Sequence, residues 1–568
     1  MTYSSPISEA RFILNEVVNL SRITATERYA EATTDVCDAI LTEAGRFCDE
    51  VMAPLNRVGD LNPARLENGQ VRSSPGFAQA YRGLAEGGWV GIAADPEHGG
   101  MGLPLALNTA VNDMMSGACL ALQLNPLLTQ GQIEALEHHA SAELQALYLP
   151  RLISGEWTGT MNLTEPQAGS DVGALSTRAV DKGDGTYAIT GQKIFISWGD
   201  HDMTENIVHL VLARLPDGAP GTKGISLFLV PKFLPDAQGR PGVANRIKVI
   251  GLEHKLGLHG SPTATMAYEG ATGWLVGAPH GGMAAMFTMM NNARRGVGVS
   301  GVGVAEAAYQ TALAYALGRR QGKTPTGGDS IADHADVRRM LVGMKADIFA
   351  ARALTLDCAV AMDMARATGL PAWQARAALL TPIAKAFGTE VGNEVSHAGV
   401  QVHGGMGVIE ESGAAQFSRD VRVTSIYEGT NGIQAMDLVG RKLADGGEAA
   451  FSLLQDIQEA AQAMRAQLPD LAGAVWEAAE AVHETTDWLL AQPDMTDRFA
   501  GAVPYLRAFA RVLGGRYHLA AATAGGGARA ALARAYVNRA LPEVSGLLVQ
   551  ARVGAADLYA MTLEDLGA

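Results

Sequence analysis

Apolar residues recur at three- and four-residue intervals from Ile7 to about Trp157, as in FILNEVV, ATTDVCDAILTEAGRF and ELQALYLPRLISG, and predict a helical domain over residues 1–157. The Gly and Pro cluster AADPEHGGMGLP, Ala93–Pro104, interrupts that pattern. From Thr158 to about Ala278 the texture changes to short β-like runs, YAITGQKIFIS, NIVHLVLARL and GISLFLVPKF, separated by the turn signals DKGDG and PDGAPG, so residues 158–278 read as a β domain. Helical periodicity returns at Gly281. The run Asp336–Thr368 contains no Gly or Pro other than Gly343 and stops at Gly369-Leu370-Pro371, which marks residues 279–442 as bundle-forming helices. Residues 443–568 are Ala- and Glu-rich, amphipathic and poor in chemical groups, and read as a fourth, helical domain. No internal repeat is evident. The predicted fold is mainly α with a central β domain.

Composition narrows the function classes. A chain of 568 residues with 44 Lys+Arg against 59 Asp+Glu carries a net charge of −15 and shows no basic run, which argues against nucleic-acid binding. The four cysteines, Cys37, Cys48, Cys119 and Cys358, lie too far apart for a CxxC pair, and a chain of this length needs no disulfide framework. Glu9, Arg11 and Glu16 stand where a secretory signal would need its apolar core, and no apolar run reaches membrane-spanning length. The expectation is a soluble cytoplasmic protein with no membrane insertion.

Three stretches offer chemistry. MNLTEPQAGSDVGA, Met161–Ala174, presents the hydroxyls of Thr164 and Ser170 and bare backbone N–H groups around Gly169, suited to carbonyl or anionic oxygens; read alone, it is a turn. In Gln401-Val-His-Gly-Gly-Met-Gly407 three glycines allow a phosphate to approach the backbone, although the spacing is not GxGxxG and helix packing is the simpler use. His403 has no partner at metal spacing, so no metal is expected. In SIYEGTNGIQAMDLVGRK, Ser425–Lys442, Glu428 alone would be a helix N-terminal acid stabilised by the macrodipole.

Taken in order, these motifs resemble the acyl-CoA dehydrogenase family across nearly all of residues 1–442. TEPQAGSD is similar to the family's flavin loop, GQKIFIS to its flavin-facing strand, QVHGGMGV to its pyrophosphate contact and IYEGTNGIQ to the segment with the catalytic base. The stretches YSSPISEARFILNEV, HKLGLHGSPTATMAYEGATGWLVG and MFTMMNNARRGVGVSG, with the long C-terminal domain, resemble the large-subunit branch that includes 3-methylmercaptopropionyl-CoA dehydrogenases. The resemblance implies N-terminal helices, a barrel-like β middle and a C-terminal four-helix bundle, here with an extra helical domain. It implies bound FAD, an acyl-CoA substrate, electron-transfer flavoprotein as acceptor, and a homodimer.

Residue by residue, the resemblance makes Glu428 the base that removes the α-proton, with its own N–H and a flavin ribityl hydroxyl on the thioester oxygen. Burial should raise its pKa towards the working pH. Thr164 would bind the pyrimidine edge of the flavin, Phe195 and Ser197 would lie along it with Ser197 near N5, and Ser170 would stand at the CoA entrance. Arg319, Gln401, Gly404 and Gly405 would hold pyrophosphate and adenosine across a subunit interface. Gly429 would lie near the thioester oxygen, Thr430 towards FAD, and Arg295 near the acyl-CoA channel. Three positions depart from the family pattern: Phe195 stands where many relatives have Trp, with Trp198 three residues on; Gln321-Gly322 shortens Gln-Phe-Gly; and Gly432 replaces a side chain.

Two rival readings make different demands. A flavin-binding relative that binds nucleic acid instead of dehydrogenating would lose the base or show a basic C-terminal face, whereas this chain keeps Glu428 and places Asp470, Glu477, Glu480 and Glu484 in its tail. A membrane-surface tail would need a Lys/Arg-rich polar face, so the tail's apolar face is expected to pack on its own protein. For the acyl group, 3-methylmercaptopropionyl is the first expectation and a medium or long fatty acyl chain the second. Met286, Met289 and Met290 are expected to fill core.

Overall fold

The computed structural model describes residues 3–568. The N-terminal helices converge on α1 (Leu105–His139), which is buried along most of its length. At Cys119 the backbone takes φ −161° and ψ 88°, dividing α1 into two pieces. Near that break the Ala121 carbonyl accepts the indole N–H of Trp198 at 3.2 Å, tying the helical domain to the β domain.

The β domain is a seven-stranded sheet. In chain order its strands are β1 (Trp157–Asn162), β2 (Arg178–Asp181), β3 (Tyr187–Ser197), β4 (Asn206–Arg214), β5 (Ile225–Pro231), β6 (Ile247–Leu252) and β7 (Thr263–Val276). Their order is β6-β7-β3-β2-β4-β1, and β5 pairs with both β7 and β4, which closes the central strands on themselves. Alternation of side chains along these strands fills the interior with Ile189, Val211, Phe228, Val230, Met266 and Tyr268. Strand β1 lies parallel to β4, with Trp157 opposite Asn206, and carries the chain directly into the Thr164 loop.

Three long helices follow: α2 (Gly282–Gly318), α3 (Ala335–Thr368) and α4 (Pro371–His403). Helix α3 coincides with the predicted run and ends where Gly369 turns left-handed at φ 66° before Pro371 starts α4. Helices α2 and α4 cross with their backbones nearly touching, because Gly298, Gly301, Gly388 and Gly392 share the crossing. A Cβ at Gly298 would stand 2.7 Å from the Ala384 carbonyl oxygen, and one at Gly392 would stand 2.8 Å from that of Gly301. Any larger residue would push the helices apart. Met286 and Met289 are fully buried, as expected of core filling, while Met290 is half-buried against the same core.

The short helix α5 (Asn431–Asp437) precedes a C-terminal group of helices, of which α6 (Ala502–Gly525) packs against the bundle. The amphipathic tail covers its own protein. Its polar positions meet buried partners: Arg511 reaches Asp347 at 2.5 Å, and the Tyr517 hydroxyl donates to Asp357 at 2.7 Å. Among the described residues no helix is long and apolar enough to cross a membrane.

Candidate active site

The turn before α5 is held from both sides. Thr430 caps the helix, its hydroxyl accepting the Ile433 N–H at 3.2 Å. The buried amide of Gln434 reaches back to the carbonyls of Glu428 at 3.3 Å and Gly429 at 3.2 Å. Both residues are left-handed, Glu428 at φ 57° and Gly429 at φ 84°. Glycine is required at 429, since a Cβ there would also stand 2.7 Å from the Gln434 amide nitrogen. For glutamate the same region is strained by about 1–3 kcal/mol, a cost that clusters at functional sites.

Glu428 is half-buried. Burial pushes its pKa up to about 7, against the pull of Arg294 on α2 and Lys385 on α4. Lys385 is itself fully buried and pushed down to about 7 by desolvation, with Glu428 acting to raise it. Its ammonium donates to Asn431 Oδ1 at 2.9 Å. Arg294 lies beside Gly429, with its Nη1 3.8 Å from Asp437. A carboxylate so placed accepts a proton near neutral pH. If Glu428 must be ionised to act, the limiting rate rises with pH through about 7 and is lost as pH falls below it. Stopped-flow absorbance across that range checks this.

Arg295 is turned towards α1. Its guanidinium is fully buried, donating to Thr109 at 2.6 Å and to Asn292 at 3.4 Å, so it lies against α1. One residue is about 100° of helical turn, and it is Arg294 that faces the Glu428 turn. Sequence reading also missed Lys385, which precedes Glu428 by 43 positions (428 − 385) and carries no local signal.

A second group forms at the end of β3. The Thr164 carbonyl accepts the Ile194 N–H at 2.9 Å, which lays the half-buried Thr164 loop beside Phe195 and Ser197. Underneath is an ion pair that the sequence did not reveal: Lys193 Nζ lies 2.9 Å from Glu165 Oε1, both side chains out of solvent. Glu165 also accepts the Ser176 N–H at 2.7 Å and the Thr177 N–H at 3.0 Å, and these donors with Lys193 hold its pKa down to about 2 despite its burial. Lys193 further donates to the Leu163 carbonyl at 2.9 Å. Of the two candidate aromatic rings, Trp198 is locked in the core against Phe77, whereas Phe195 is 60 % exposed. Ser170 is exposed on the loop.

The third group sits at one end of the bundle. The Tyr315 and His403 rings stack with centroids 4.4 Å apart, which brings the C-terminal ends of α2 and α4 together with Arg319 and Gln401 exposed beside them. His403 is engaged as a helix residue, its Nδ1 2.7 Å from the Gly399 carbonyl oxygen one turn earlier. Gly404 and Gly405 are exposed, and a Cβ at either would meet no atom within 4 Å, so their backbone is open to an approaching group. An outward aromatic ring, a hydroxyl-bearing loop and an open glycine backbone fit a flavin dinucleotide.

Comparison with known proteins agrees. Models of the acyl-CoA dehydrogenase N-terminal, middle and C-terminal domains match residues 34–156, 160–271 and 280–443, and an acetyl-CoA dehydrogenase C-terminal-like model matches 453–562. The 3-methylmercaptopropionyl-CoA dehydrogenase of Ruegeria pomeroyi is 45% identical over 519 residues, 89% of this chain and 88% of that protein. A broad-specificity linear acyl-CoA dehydrogenase of Mycobacterium tuberculosis is 36% identical over 479 residues, 80% of this chain and 78% of that protein. An acyl-CoA dehydrogenase from Bacillus anthracis, solved in complex with FAD, shares the fold with a TM-score of 0.76 at 21% identity, covering 100% of this chain and 95% of that one. The chain belongs to the acyl-CoA dehydrogenase family. It is a flavoprotein oxidoreductase that uses FAD and acts on CoA thioesters.

Proposed function

We propose that the chain converts 3-methylmercaptopropionyl-CoA to methylthioacryloyl-CoA, with Glu428 as the base. The observation that carries the base assignment is a carboxylate with pKa near 7 on a strained turn beside two buried cations. The Ruegeria relative supports the substrate. A medium or long linear acyl chain is the second reading, supported by the broad specificity of the mycobacterial relative.

In this reading a Glu428 carboxylate oxygen takes the α-proton while the Cα–H electrons form the new C=C bond. The backbone N–H of Glu428 steadies the developing charge on the thioester oxygen, and Gly429 keeps that side of the turn open. Arg294 and Lys385 favour the ionised form of the base before the step, and the carboxyl leaves it neutral. FAD, when bound, supplies the acceptor for the β-hydride. Thr164, Phe195 and Ser197 would hold its ring system, Arg319, Gln401, Gly404 and Gly405 its pyrophosphate and adenosine, and Thr430 a further polar contact. Ser170 would meet the CoA moiety.

Electron-transfer flavoprotein is the proposed acceptor. The proposed assembly is a homodimer, supported by exposed Leu317, Val408 and Ile409 beside Arg319 and Gln401. The C-terminal domain would cover the bundle surface that could otherwise join two dimers; light scattering should give a dimer, and a stable tetramer would contradict the covering role. All four cysteines are free and buried, which suits a reducing cytoplasm. The substrate test is anaerobic flavin bleaching by acyl-CoAs from butanoyl to palmitoyl and by the methylthio-propanoyl thioester. The last should be fastest at limiting concentration; a faster fatty acyl-CoA would move the assignment to the second reading.

A further inference from the structure

The C-terminal domain touches the base-bearing turn through a chain of polar contacts. Arg507, on α6, places its Nη1 3.3 Å from Glu390 Oε2 and 2.5 Å from Glu394 Oε1, while its Nε lies 2.7 Å from Glu543 Oε1. Glu390, on α4, accepts the Asn431 amide at 3.4 Å through its other oxygen. The same amide donates to the Ala386 carbonyl at 3.3 Å, and its oxygen accepts the Lys385 ammonium at 2.9 Å. Asn431 is the first residue of α5, three positions after Glu428. Thr389 Oγ1 also lies 3.1 Å from the amide, so the Asn431 side chain is fixed by several groups of α4, and the one carboxylate among them is gripped by α6.

We propose that this chain of contacts, Arg507 to Glu390 to Asn431 with Lys385 closing it, holds the Glu428 turn in register, making Arg507 and Lys385 positioning residues for the base. The proposal rests on the reading of Glu428 as base. It gives the C-terminal domain a part in catalysis that packing alone does not. A neighbouring arginine separates the two roles: Arg511, one turn further along α6, reaches Asp347 at 2.5 Å and shares Glu543 at 2.8 Å and Glu394 at 4.0 Å with Arg507, but forms no ion pair with Glu390. The charged and titratable groups that face the Glu428 carboxylate are Arg294 from α2 and Lys385 from α4, with the Tyr427 hydroxyl beside it on the turn.

The test uses the FAD-loaded enzyme and a good acyl-CoA substrate. Arg507→Met should slow anaerobic flavin reduction by about 10- to 100-fold, the usual effect of loosening a reacting group, with the acyl-CoA dissociation constant unchanged. Arg507→Lys should recover part of the rate, because it restores the charge without the fork. Arg511→Met should lower the melting temperature and leave the reduction rate intact. Infrared titration of the resting enzyme gives a second readout. The carboxyl band lost in Glu428→Gln should titrate at a changed midpoint in Arg507→Met and at the wild-type midpoint in Arg511→Met. A wild-type rate in Arg507→Met, or equal losses in the two arginine variants, overturns the proposal. Should Arg507→Met not fold, Glu390→Gln is read by the same criteria. Glu428→Gln in the same assay keeps the two readings apart: a wild-type rate there removes the base assignment, while a slow Glu428→Gln beside a normal Arg507→Met removes only the positioning role.

Discussion

Glu428→Gln is expected to bind FAD and acyl-CoA and yet reduce its flavin ~10²–10⁴ times more slowly than the wild type, the usual worth of a positioned general base. Glutamine keeps the shape of the side chain and the carbonyl that Gln434 holds, so the turn before α5 should persist. What disappears is the oxygen that can accept a proton near neutral pH. Binding and chemistry would then separate in one variant. Glu411, an exposed acid outside the turn, provides the charge control, and Glu411→Gln should leave the rate unchanged. Anaerobic single-turnover reduction measures both. A wild-type rate in Glu428→Gln would mean that another residue takes the proton.

The second large effect should come from Lys193→Met, which strands Glu165 in the interior beneath the Thr164 loop. Removing one partner of a buried pair costs about 3–5 kcal/mol, because the remaining charge loses its compensation. The loop that carries Thr164 and Ser170 also loses the tie from Lys193 to the Leu163 carbonyl. Thermal melting with saturating FAD should show the loss, and FAD should bind more weakly. The double variant Glu165→Gln with Lys193→Met should recover part of the stability, since no uncompensated charge remains. The pH dependence has a definite sign. Glu165 is held down to about 2 in the folded protein from an ordinary 4.5, so its contribution is complete above 4.5 and disappears as pH falls through about 2. If Lys193→Met melts with the wild type, the pair contributes nothing net.

Local pattern made much of the architecture readable. The uninterrupted run from Asp336 announced α3, and the stop at Gly369 announced its end. Short apolar runs between Asp- and Gly-rich turns announced the strands. The motif around Glu428 was readable because its glycine, threonine cap and following helix are contiguous. The groups that act on Glu428 were not. Arg294 and Lys385 approach from two helices, and their relevance depends on the rotation and crossing of α2 and α4. The choice between Arg294 and Arg295 is a question of helical phase, and phase within a helix buried on several sides leaves little polar alternation to read. Lys193 stands in a legible strand but has no visible partner in the sequence, because Glu165 lies 28 residues earlier. The link from Arg507 to Glu390 spans 117 residues and follows from domain packing.

The glycine crossing of α2 and α4 has an evolutionary corollary. Where two backbones meet directly, the spacing between them is set by peptide geometry and not by the sizes of interchangeable side chains. Arg294 and Lys385 are carried on the two sides of that joint, so their spacing across the Glu428 turn does not depend on the sizes of side chains at the crossing. The opposite wall of α2, where Met289 lies against Gly131 of α1, is built from ordinary side-chain packing and can be resized. A lineage could thus repack that wall, mutation by mutation, while inheriting the spacing of the two cations unchanged.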